Sequence, residues 1–261
     1  MARPTFIELE SRGSPLRIPI LYEDRAVLAI DKPAGWLLAP THWQQTGRNL
    51  QAALESSLAA GDFWARCRQL KYLRFVHRLD AETGGVLLLA KSPGALRALG
   101  ELFESRQVAK VYLAVVHGIP RQREWGCELR LMPDSGWLGR VKVDARHGKD
   151  AATRFRILKI GSRPGREDCA LVEARPLTGR THQVRVHLAA TGHPVVGDPL
   201  YGSGTKPRPA GEGGGLGLAL RAVELAYPDP FTRQAIHIRA PEAEFLRHFG
   251  FGPVPASPAR A

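Results

Sequence analysis

The alternation of hydrophobic and polar residues divides the chain into many short strands and a few helices. Apolar runs bounded by turn residues predict strands over residues 18–22, 26–31, 86–90, 108–116, 125–131, 140–143, 153–160, 170–174, 218–226 and 235–238. Helical spacing predicts helices over residues 49–58, 92–107, 182–191 and 242–249, with Gly61 as the stop of the first and Ser92 as the cap of the second. The alternation of side chains along a strand places Lys110 and Tyr112 on one side of the strand over residues 108–116. Because most links are too short for helical crossovers, we expect an α+β fold with a central mixed, mainly antiparallel sheet and flanking helices.

The pattern shows no internal repeat and no clear domain boundary. We expect a short N-terminal arm over residues 1–17, one folded domain over residues 18–250 and a flexible tail over residues 251–261. A chain of 261 residues that is 44% hydrophobic is long enough to build a proper core. The segment 202–217, rich in Gly and Pro, predicts a mobile surface loop, and the Pro33-Ala34-Gly35 turn is expected to expose Lys32.

The charge of the chain indicates a polyanionic partner. The formal net charge is +12 at pH 7, which is typical of proteins that bind nucleic acid. Residues 140–166 contain nine of the basic side chains, namely Arg140, Lys142, Arg146, Lys149, Arg154, Arg156, Lys159, Arg163 and Arg166. We therefore expect nucleic acid as the partner.

Other features of the composition limit the classes of protein to consider. No apolar run approaches the roughly 18 residues that would cross a bilayer, and residues 1–14 lack the order of a secretory signal. We therefore expect a cytoplasmic monomer without membrane contact. The three cysteines, Cys67, Cys127 and Cys169, lie far apart and form no metal-binding pair, so no metal site is expected.

The segment 75–90 places one carboxylate beside a buried strand. Its first half is charged and holds Asp80, and its second half is an apolar run that predicts a strand buried on both faces. Catalytic side chains are often placed on loops that a rigid scaffold fixes. The alternative is that Asp80 only caps a turn through its own backbone.

Three segments in order carry a family resemblance: residues 77–85 read HRLDAETGG, residues 110–114 read KVYLA and residues 179–187 read GRTHQVRVH. They are flanked by DKPAG at residues 31–35 and HPVVGDP at residues 193–199. Over roughly residues 18–240 the chain closely resembles the RluA family of RNA pseudouridine synthases. Gly84 stands where that family commonly has serine, so one hydroxyl is absent from the turn. The resemblance implies the pseudouridine synthase fold around a basic cleft, as a catalytic domain without the S4 domain of some relatives. We expect the basic segment over residues 140–166 to lie along the rim of this cleft.

The resemblance implies an isomerase that converts uridine in structured RNA to pseudouridine without a cofactor. It assigns the catalytic carboxylate to Asp80, the arginine that pairs with this aspartate to Arg185, and the tyrosine that stacks on the uracil to Tyr112. Asp80 attacks C1′ or C6, or stabilises a glycal as the base departs, and the sequence leaves these routes open.

The same resemblance implies which residues contact the RNA. Arg78 is expected to brace the position that the flipped base vacates, with a salt bridge to Glu82 as the alternative. The further substrate-binding residues are His77, Lys110, Arg180 and His182. The histidines, including His187, also fit a role as hydrogen-bonding scaffold, because the chemistry already has its carboxylate.

Two other functions compete with this interpretation. A non-catalytic RNA-binding or ribosome-assembly factor with the same fold explains the charge but not the set of Asp80, Tyr112 and Arg185. A hydrolase is disfavoured because the sequence lacks a GxSxG or HExxH motif. The partner is expected to be ribosomal RNA or tRNA, with ribosomal RNA slightly preferred.

Overall fold

The structure is a computed structural model that describes residues 3–10, 15–38, 48–137, 139–161, 168–202 and 217–254. The chain divides into two compact units, one formed by Met1–Lys110 and Ala222–Ala240, the other by Val111–Arg221 and Pro241–Ala261. Most of the loop expected over residues 202–217 and the end of the tail expected over residues 251–261 lie outside the described residues. The division into arm, folded domain and tail stays a prediction.

The described residues form strands and helices that confirm the predicted α+β class. In chain order they are β1 (Phe6–Leu9), β2 (Leu16–Glu23), β3 (Val27–Lys32), α1 (Leu50–Ala60), α2 (Phe63–Arg66), β4 (Arg74–Phe75), β5 (Gly84–Ala90), α3 (Pro93–Glu104), β6 (Ala109–His117), β7 (Glu124–Cys127), β8 (Leu131–Pro133), β9 (Val141–Val143), β10 (Thr153–Gly161), β11 (Cys169–Pro176), α4 (Gln183–Ala190), β12 (Leu220–Pro228), β13 (Ala235–Arg239) and α5 (Ala243–His248).

The first unit is built on a sheet with the strand order β1-β2-β3-β5-β12, where β4 also pairs with β5 and β13 with β12. Strands β3 and β5 run antiparallel, with a register from Val27 opposite Ala90 to Lys32 opposite Gly85. Every residue of β5 is buried, as the apolar run predicted. The loop that carries Asp80 therefore enters directly into the most buried strand of this unit.

The caps of two helices in the first unit confirm their predicted ends. The side chain of Asn49 accepts a hydrogen bond from the Ala52 backbone at 3.1 Å, and Gly61 ends α1 in the left-handed conformation at φ 69°. Ser92 caps α3 in the same way, with Pro93 in the first turn. Leu99 and other apolar residues of α3 pack in one core with residues of β3 and β5.

Strand β1 lies in a segment for which the sequence predicted no strand. Its residues pair with β2 from Phe6 opposite Pro19 to Leu9 opposite Leu16, and Ile7 and Leu9 are 0% and 1% exposed. The two inward positions alternate with Glu8, as strand geometry requires. Four residues are too short a window for this alternation to stand out in the sequence.

The second unit contains a sheet with the order β6-β11-β10-β7 and a separate pair, β8 and β9. The pairs β6–β11, β11–β10 and β10–β7 are antiparallel. The strand predicted over residues 125–131 is two strands, because Leu131 exchanges backbone hydrogen bonds with Lys149 instead of extending β7. In the described ranges, no helix combines the length and the apolar character that a membrane span needs.

We predict that Gly85→Ala destabilises the first unit strongly. Gly85 has φ 118°, and a Cβ at this position would lie 1.9 Å from the Ala222 carbonyl oxygen of β12. The strands would have to separate, so the variant should lose several kcal/mol of stability, on the order of the larger core substitutions. Denaturant unfolding measures this loss.

The matched control is Gly100→Ala in α3, where an added Cβ meets no atom within 4 Å. Alanine favours a helix interior over glycine by about 1 kcal/mol, so this variant should be neutral or more stable. Equal stability of the two variants would contradict the close approach of β5 and β12.

Candidate active site

The loop between β4 and β5 holds Asp80 in a closed turn. The backbone N–H of Thr83 donates to the Asp80 carbonyl at 3.1 Å, and the N–H of Gly35 donates to the Ala81 carbonyl at 2.8 Å. The Asp80 residue is half-buried. Its backbone is therefore fixed from inside the turn and from the DKPAG segment that follows β3.

Lys32, the last residue of β3, is the main support of this loop. It is 0% exposed, and its Nζ donates to the carbonyl oxygens of Asp80 at 3.2 Å, Ala81 at 2.9 Å and Thr83 at 2.9 Å. A fourth carbonyl, that of Pro33, lies at 3.1 Å. The expectation that the Pro-Ala-Gly turn exposes Lys32 is wrong, because these carbonyls solvate the ammonium group inside the protein.

The charge of Lys32 reaches the acidic side chains of the loop. Burial lowers the pKa of the Lys32 ammonium to about 8, while the carboxylates of Glu82 and Asp80 act to raise it. At neutral pH the group is still protonated and has three N–H donors. It therefore supplies both hydrogen bonds and positive charge beside Asp80.

His77 lies in the scaffold of the same loop. Its ring stacks on Phe103 with 4.9 Å between centroids, and its Nε2 accepts a hydrogen bond from the Leu88 backbone at 3.1 Å. Burial, together with the charge of Lys110, lowers the pKa of His77 to about 3. His77 is therefore neutral at physiological pH, which supports its role as scaffold. Its contact with RNA stays a prediction.

Arg78 and Lys110 are the other predicted contact residues of the first unit. Arg78 is exposed, and the described part of the chain contains no ion pair between it and Glu82, the competing explanation for its charge. Lys110 is half-buried, and burial lowers the pKa of its ammonium group.

Tyr112 lies on β6, two residues after Lys110. Lys110 and Tyr112 are partly exposed, whereas Val111 and Leu113 are buried. This is the alternation that the sequence predicted. Tyr112 is opposite Ala174 of β11 in the antiparallel register. The ring is therefore carried by a strand of fixed position in the second unit.

The turn before α4 is fixed by Gln183. Its Oε1 accepts from the Arg180 backbone at 3.0 Å and from Thr178 Oγ1 at 2.7 Å, and its Nε2 donates to the Ala152 carbonyl at 2.9 Å. Arg180 itself donates from Nε to the Asp150 carbonyl at 3.1 Å. These bonds fix the position of the residues that lead into the helix.

Arg185 is 1% exposed on α4 and forms a bidentate ion pair with Asp198. Its Nε and Nη2 donate to the two carboxylate oxygens, each at 2.8 Å. The same carboxylate accepts from the backbone of Leu200 at 2.9 Å and of Tyr201 at 3.1 Å. A guanidinium has five N–H donors, so this pair does not exhaust it, and the predicted pairing with Asp80 stays a prediction.

Tyr201 contacts two predicted site residues of the second unit, His182 and Arg185. Its hydroxyl accepts from the Val141 backbone at 2.8 Å and shares a hydrogen bond of 2.9 Å with His182 Nδ1. The guanidinium carbon of Arg185 lies 5.3 Å from the centre of its ring. The Tyr201 hydroxyl is therefore in hydrogen-bonding contact with both the β9 backbone and the residue that precedes α4.

His182 and His187 differ in their surroundings. His182 begins α4 with a left-handed backbone at φ 54° and is partly exposed. His187 is 0% exposed, within hydrogen-bonding distance of Thr153 Oγ1 at 2.9 Å and of the Leu129 carbonyl at 3.1 Å, and burial lowers its pKa. His187 thus fits the scaffold role.

The basic segment over residues 140–166 is partly engaged within the second unit. Arg156 pairs with Glu173 at 3.1 Å, and Lys159 donates to the Gly252 carbonyl at 3.2 Å. Arg163 and Arg166 lie outside the described residues. Its expected role as the rim of a cleft stays a prediction.

Sequence reasoning missed the support roles of Lys32, Asp198 and Tyr201. All three lie in or directly after the flanking segments that contributed to the resemblance, DKPAG and HPVVGDP. The motifs were therefore visible in the sequence, but they did not indicate what each of these side chains contacts.

A comparison with protein families decides the identity of this arrangement. The family model described as RNA pseudouridylate synthase matches residues 26–190, more than half of the chain. The chain belongs to the RNA pseudouridine synthases of the RluA family. The predicted resemblance is thereby confirmed, and so is the prediction of an isomerase, since its relatives are named as such enzymes.

Three curated relatives show how far the similarity extends. An uncharacterised RNA pseudouridine synthase of Zymomonas mobilis is 41% identical over 70% of this chain and 78% of its own. The dual-specificity RNA pseudouridine synthase RluA of Vibrio cholerae is 33% identical over 89% of each chain. The ribosomal large subunit pseudouridine synthase C of Escherichia coli is 35% identical over 87% of this chain and 67% of its own.

Solved structures confirm the predicted pseudouridine synthase fold. Human RNA Pseudouridylate Synthase Domain Containing 1 matches with a TM-score of 0.66 and 27% identity, over 86% of this chain and 83% of that chain. Human RNA Pseudouridylate Synthase Domain Containing 4 has the same TM-score at 24% identity, over 88% of this chain and 90% of that chain.

We predict that Lys32→Met lowers the rate of pseudouridine formation about 100-fold, since displacement of a reacting group by roughly 1 Å has an effect of this size. The substitution removes the donor shared by the carbonyls of Asp80, Ala81 and Thr83 and places an apolar side chain against them. Turnover on saturating RNA is the measurement, with RNA affinity expected to change much less.

Lys32→Arg is the matched variant, because it keeps the charge but replaces a compact ammonium with a planar fork that does not fit the same carbonyls. We expect its turnover to fall as well. Wild-type turnover in Lys32→Met would contradict the supporting role of this residue.

We predict that Asp198→Asn destabilises the protein by about 3–5 kcal/mol, because it removes the carboxylate charge that faces the buried Arg185 guanidinium. Denaturant unfolding gives the value. The control is Asp150→Asn, which breaks an exposed pair with Arg130 at 3.1 Å and should cost no more than about 1 kcal/mol. Similar losses in the two variants would show that burial of the Arg185 pair contributes little.

Proposed function

We propose that this chain isomerises a specific uridine in structured ribosomal RNA or tRNA to pseudouridine, with Asp80 as the catalytic carboxylate. The reaction breaks the bond between N1 of uracil and C1′ of ribose, turns the base and joins C5 to C1′. The C5 proton passes to solvent and N1 takes up a proton in its place. It involves no redox change and no second reactant. Membership in the family supports the reaction class.

The observation that carries the role of Asp80 is its position on the loop held by Lys32. The carbonyl of Asp80 itself is one of the acceptors of the Lys32 ammonium, at 3.2 Å. A carboxylate in a site that excludes water keeps its charge only when positive charge lies nearby. Lys32 supplies such charge within the first unit, and we propose that Arg185 supplies more by direct pairing.

As a charged carboxylate, Asp80 has the chemistry that each of the open routes requires. It adds to C1′ or to C6 as a nucleophile, or it stabilises the glycal that forms as uracil departs. In each case the free carboxylate is restored by the end of the reaction.

Tyr112 is proposed to hold the target uracil. A base stacks on an aromatic ring with a favourable energy of about 1–3 kcal/mol, and a ring on a hydrogen-bonded strand loses little entropy when the base binds. The Tyr112 hydroxyl is suited to move a proton during isomerisation. Its position opposite Ala174 in the β6–β11 register supports this role.

Arg78 is proposed to occupy the position that the target base vacates. Base flipping costs a few kcal/mol, which a side chain inserted into the stack reduces. The exposed Arg78 precedes Asp80 by two residues and has no ion pair with Glu82 among the described residues, which supports this assignment. Lys110, Arg180 and His182 complete the proposed RNA contacts, with the protein acting as a cytoplasmic monomer.

We predict that Asp80→Asn abolishes activity while RNA binding survives. Purified protein is incubated with ribosomal RNA and tRNA transcripts that carry tritium at uridine C5, and tritium released to water is counted. Wild type should release tritium, and the variant should release it at least about 1000-fold more slowly, as for loss of other catalytic groups. The transcript that responds identifies the RNA class.

Glu82→Gln is the matched control, since it neutralises the other carboxylate of the same loop. We expect it to retain most of the activity. Tritium release by Asp80→Asn at the wild-type rate would refute the role of Asp80. No release by any protein, with equal RNA binding, would favour the ribosome-assembly factor instead.

A further inference from the structure

We propose that a basic pocket in the first unit, at the opposite end of β3 and β5 from the Asp80 loop, binds phosphates of the substrate RNA beyond the target uridine. The pocket has a volume of about 440 Å³ and is called the Lys91 pocket below. Five cationic residues line it: Arg3, Arg25, Arg68, Lys71 and Lys91. The choice of RNA as the partner rests on the proposed function.

The floor of the Lys91 pocket is a rigid cluster with excess positive charge. Glu23 accepts from Arg68 Nε at 2.8 Å and from Lys91 Nζ at 2.7 Å, and Arg3 lies 3.7 Å away. The side chains of Arg68 and Lys91 are 3% and 12% exposed. One carboxylate therefore faces three cations, two of them largely removed from water, where charge acts more strongly than at an open surface.

The second carboxylate of the pocket, that of Asp24, is directed at its own turn. It accepts from the backbone N–H groups of Ala26 at 2.7 Å and Val27 at 2.8 Å, and from the Tyr22 hydroxyl at 3.1 Å. These bonds use the Asp24 carboxylate to fix the turn before β3. The lining as a whole keeps an excess of three positive charges.

The rim of the pocket offers donors for an anionic ligand. Arg25 and Lys71 are exposed, and within the described ranges neither has a carboxylate partner. Gln69 also lines the pocket and is held in a left-handed backbone conformation at φ 55°. A planar guanidinium and a flexible ammonium above a positive floor suit a phosphate, which accepts from both.

The register of β3 and β5 gives the distance from this pocket to the loop of Asp80. The two strands pair from Val27 opposite Ala90, beside the pocket, to Lys32 opposite Gly85, beside the loop. Five steps along a strand span about 17 Å. At about 3.4 Å per nucleotide along one strand, this separation corresponds to about five nucleotides. The pocket is therefore distinct from the place where the target uridine reacts.

The test is the double variant Arg25→Gln/Lys71→Gln, with Arg97→Gln/Arg121→Gln as a control that removes the same charge from other exposed positions. Affinity for a stem-loop RNA of about 30 nucleotides is measured at several salt concentrations. Loss of two phosphate contacts should reduce the slope of log K against log salt by about 1.4. The control should keep the wild-type slope.

Trimming the RNA separates the pocket from the reaction centre. On an RNA cut to within about three nucleotides of the target uridine, the double variant should bind like wild type, because a strand of that length spans only about 10 Å. Its kcat should stay unchanged on both RNAs. Turnover of the wild type is measured separately from RNA affinity. A wild type without activity would therefore count against the proposed function and leave the test of the pocket intact.

The proposal is overturned if the double variant keeps the wild-type slope of log K against log salt. It is also overturned if the slope falls equally in the control, because the effect would then come from total charge and not from the pocket. The proposal also fails if millimolar inorganic phosphate removes the difference in affinity between wild type and the double variant, and if that difference is the same on long and trimmed RNA. The pocket would then be a site for small anions. Circular dichroism confirms that the exposed substitutions leave the fold intact.

Discussion

A single buried ammonium group fixes the segment that carries the candidate catalytic aspartate. Lys32 ends β3, and its Nζ lies within hydrogen-bonding distance of the carbonyls of Asp80, Ala81 and Thr83. Burying a lysine is costly unless polar groups replace its water. Here backbone carbonyls do so, and the carboxylates that follow in the same loop favour the charged form. The loop and the lysine therefore stabilise each other.

The strand pairing turns this local contact into a constraint on the whole first unit. Lys32 is opposite Gly85 in the β3–β5 register, and Gly85 approaches the Ala222 backbone so closely that no side chain fits. The second unit uses a similar device, since the buried Arg185 is held by Asp198 and by the ring of Tyr201. In both units, a buried and hydrogen-bonded charge sets the position of residues proposed to act on RNA.

Much of the local structure could be predicted from the sequence. The apolar run before Ser92 predicted a fully buried strand, Ser92 and Gly61 marked helix ends, and alternation placed Lys110 and Tyr112 on one face of β6. These features depend on residues close together in the chain, and local patterns record them well. The ordered motifs predicted the family, which the comparisons confirmed.

What failed depends on contacts between distant parts of the chain. A lysine beside a Pro-Ala-Gly turn is usually exposed, and nothing local indicates that carbonyls about 50 residues away enclose Lys32. The pairing of Arg185 with Asp198 is hidden in the same way, because the end of α4 lies between them. Strand β1 was missed because its two inward residues acquire meaning only when β2 is beside them.

The most direct test of this account is amide hydrogen exchange in wild type and Lys32→Met, followed by NMR. The reporting amides are those of Gly35 and Thr83, which bond to the carbonyls of Ala81 and Asp80, with Leu88 in β5 and Val172 in β11 as references. The account predicts that Gly35 and Thr83 lose protection by at least about tenfold, or roughly 1.4 kcal/mol of local stability, while Leu88 and Val172 keep theirs. Unchanged protection of Gly35 and Thr83 would contradict the claim that Lys32 holds the Asp80 loop in place.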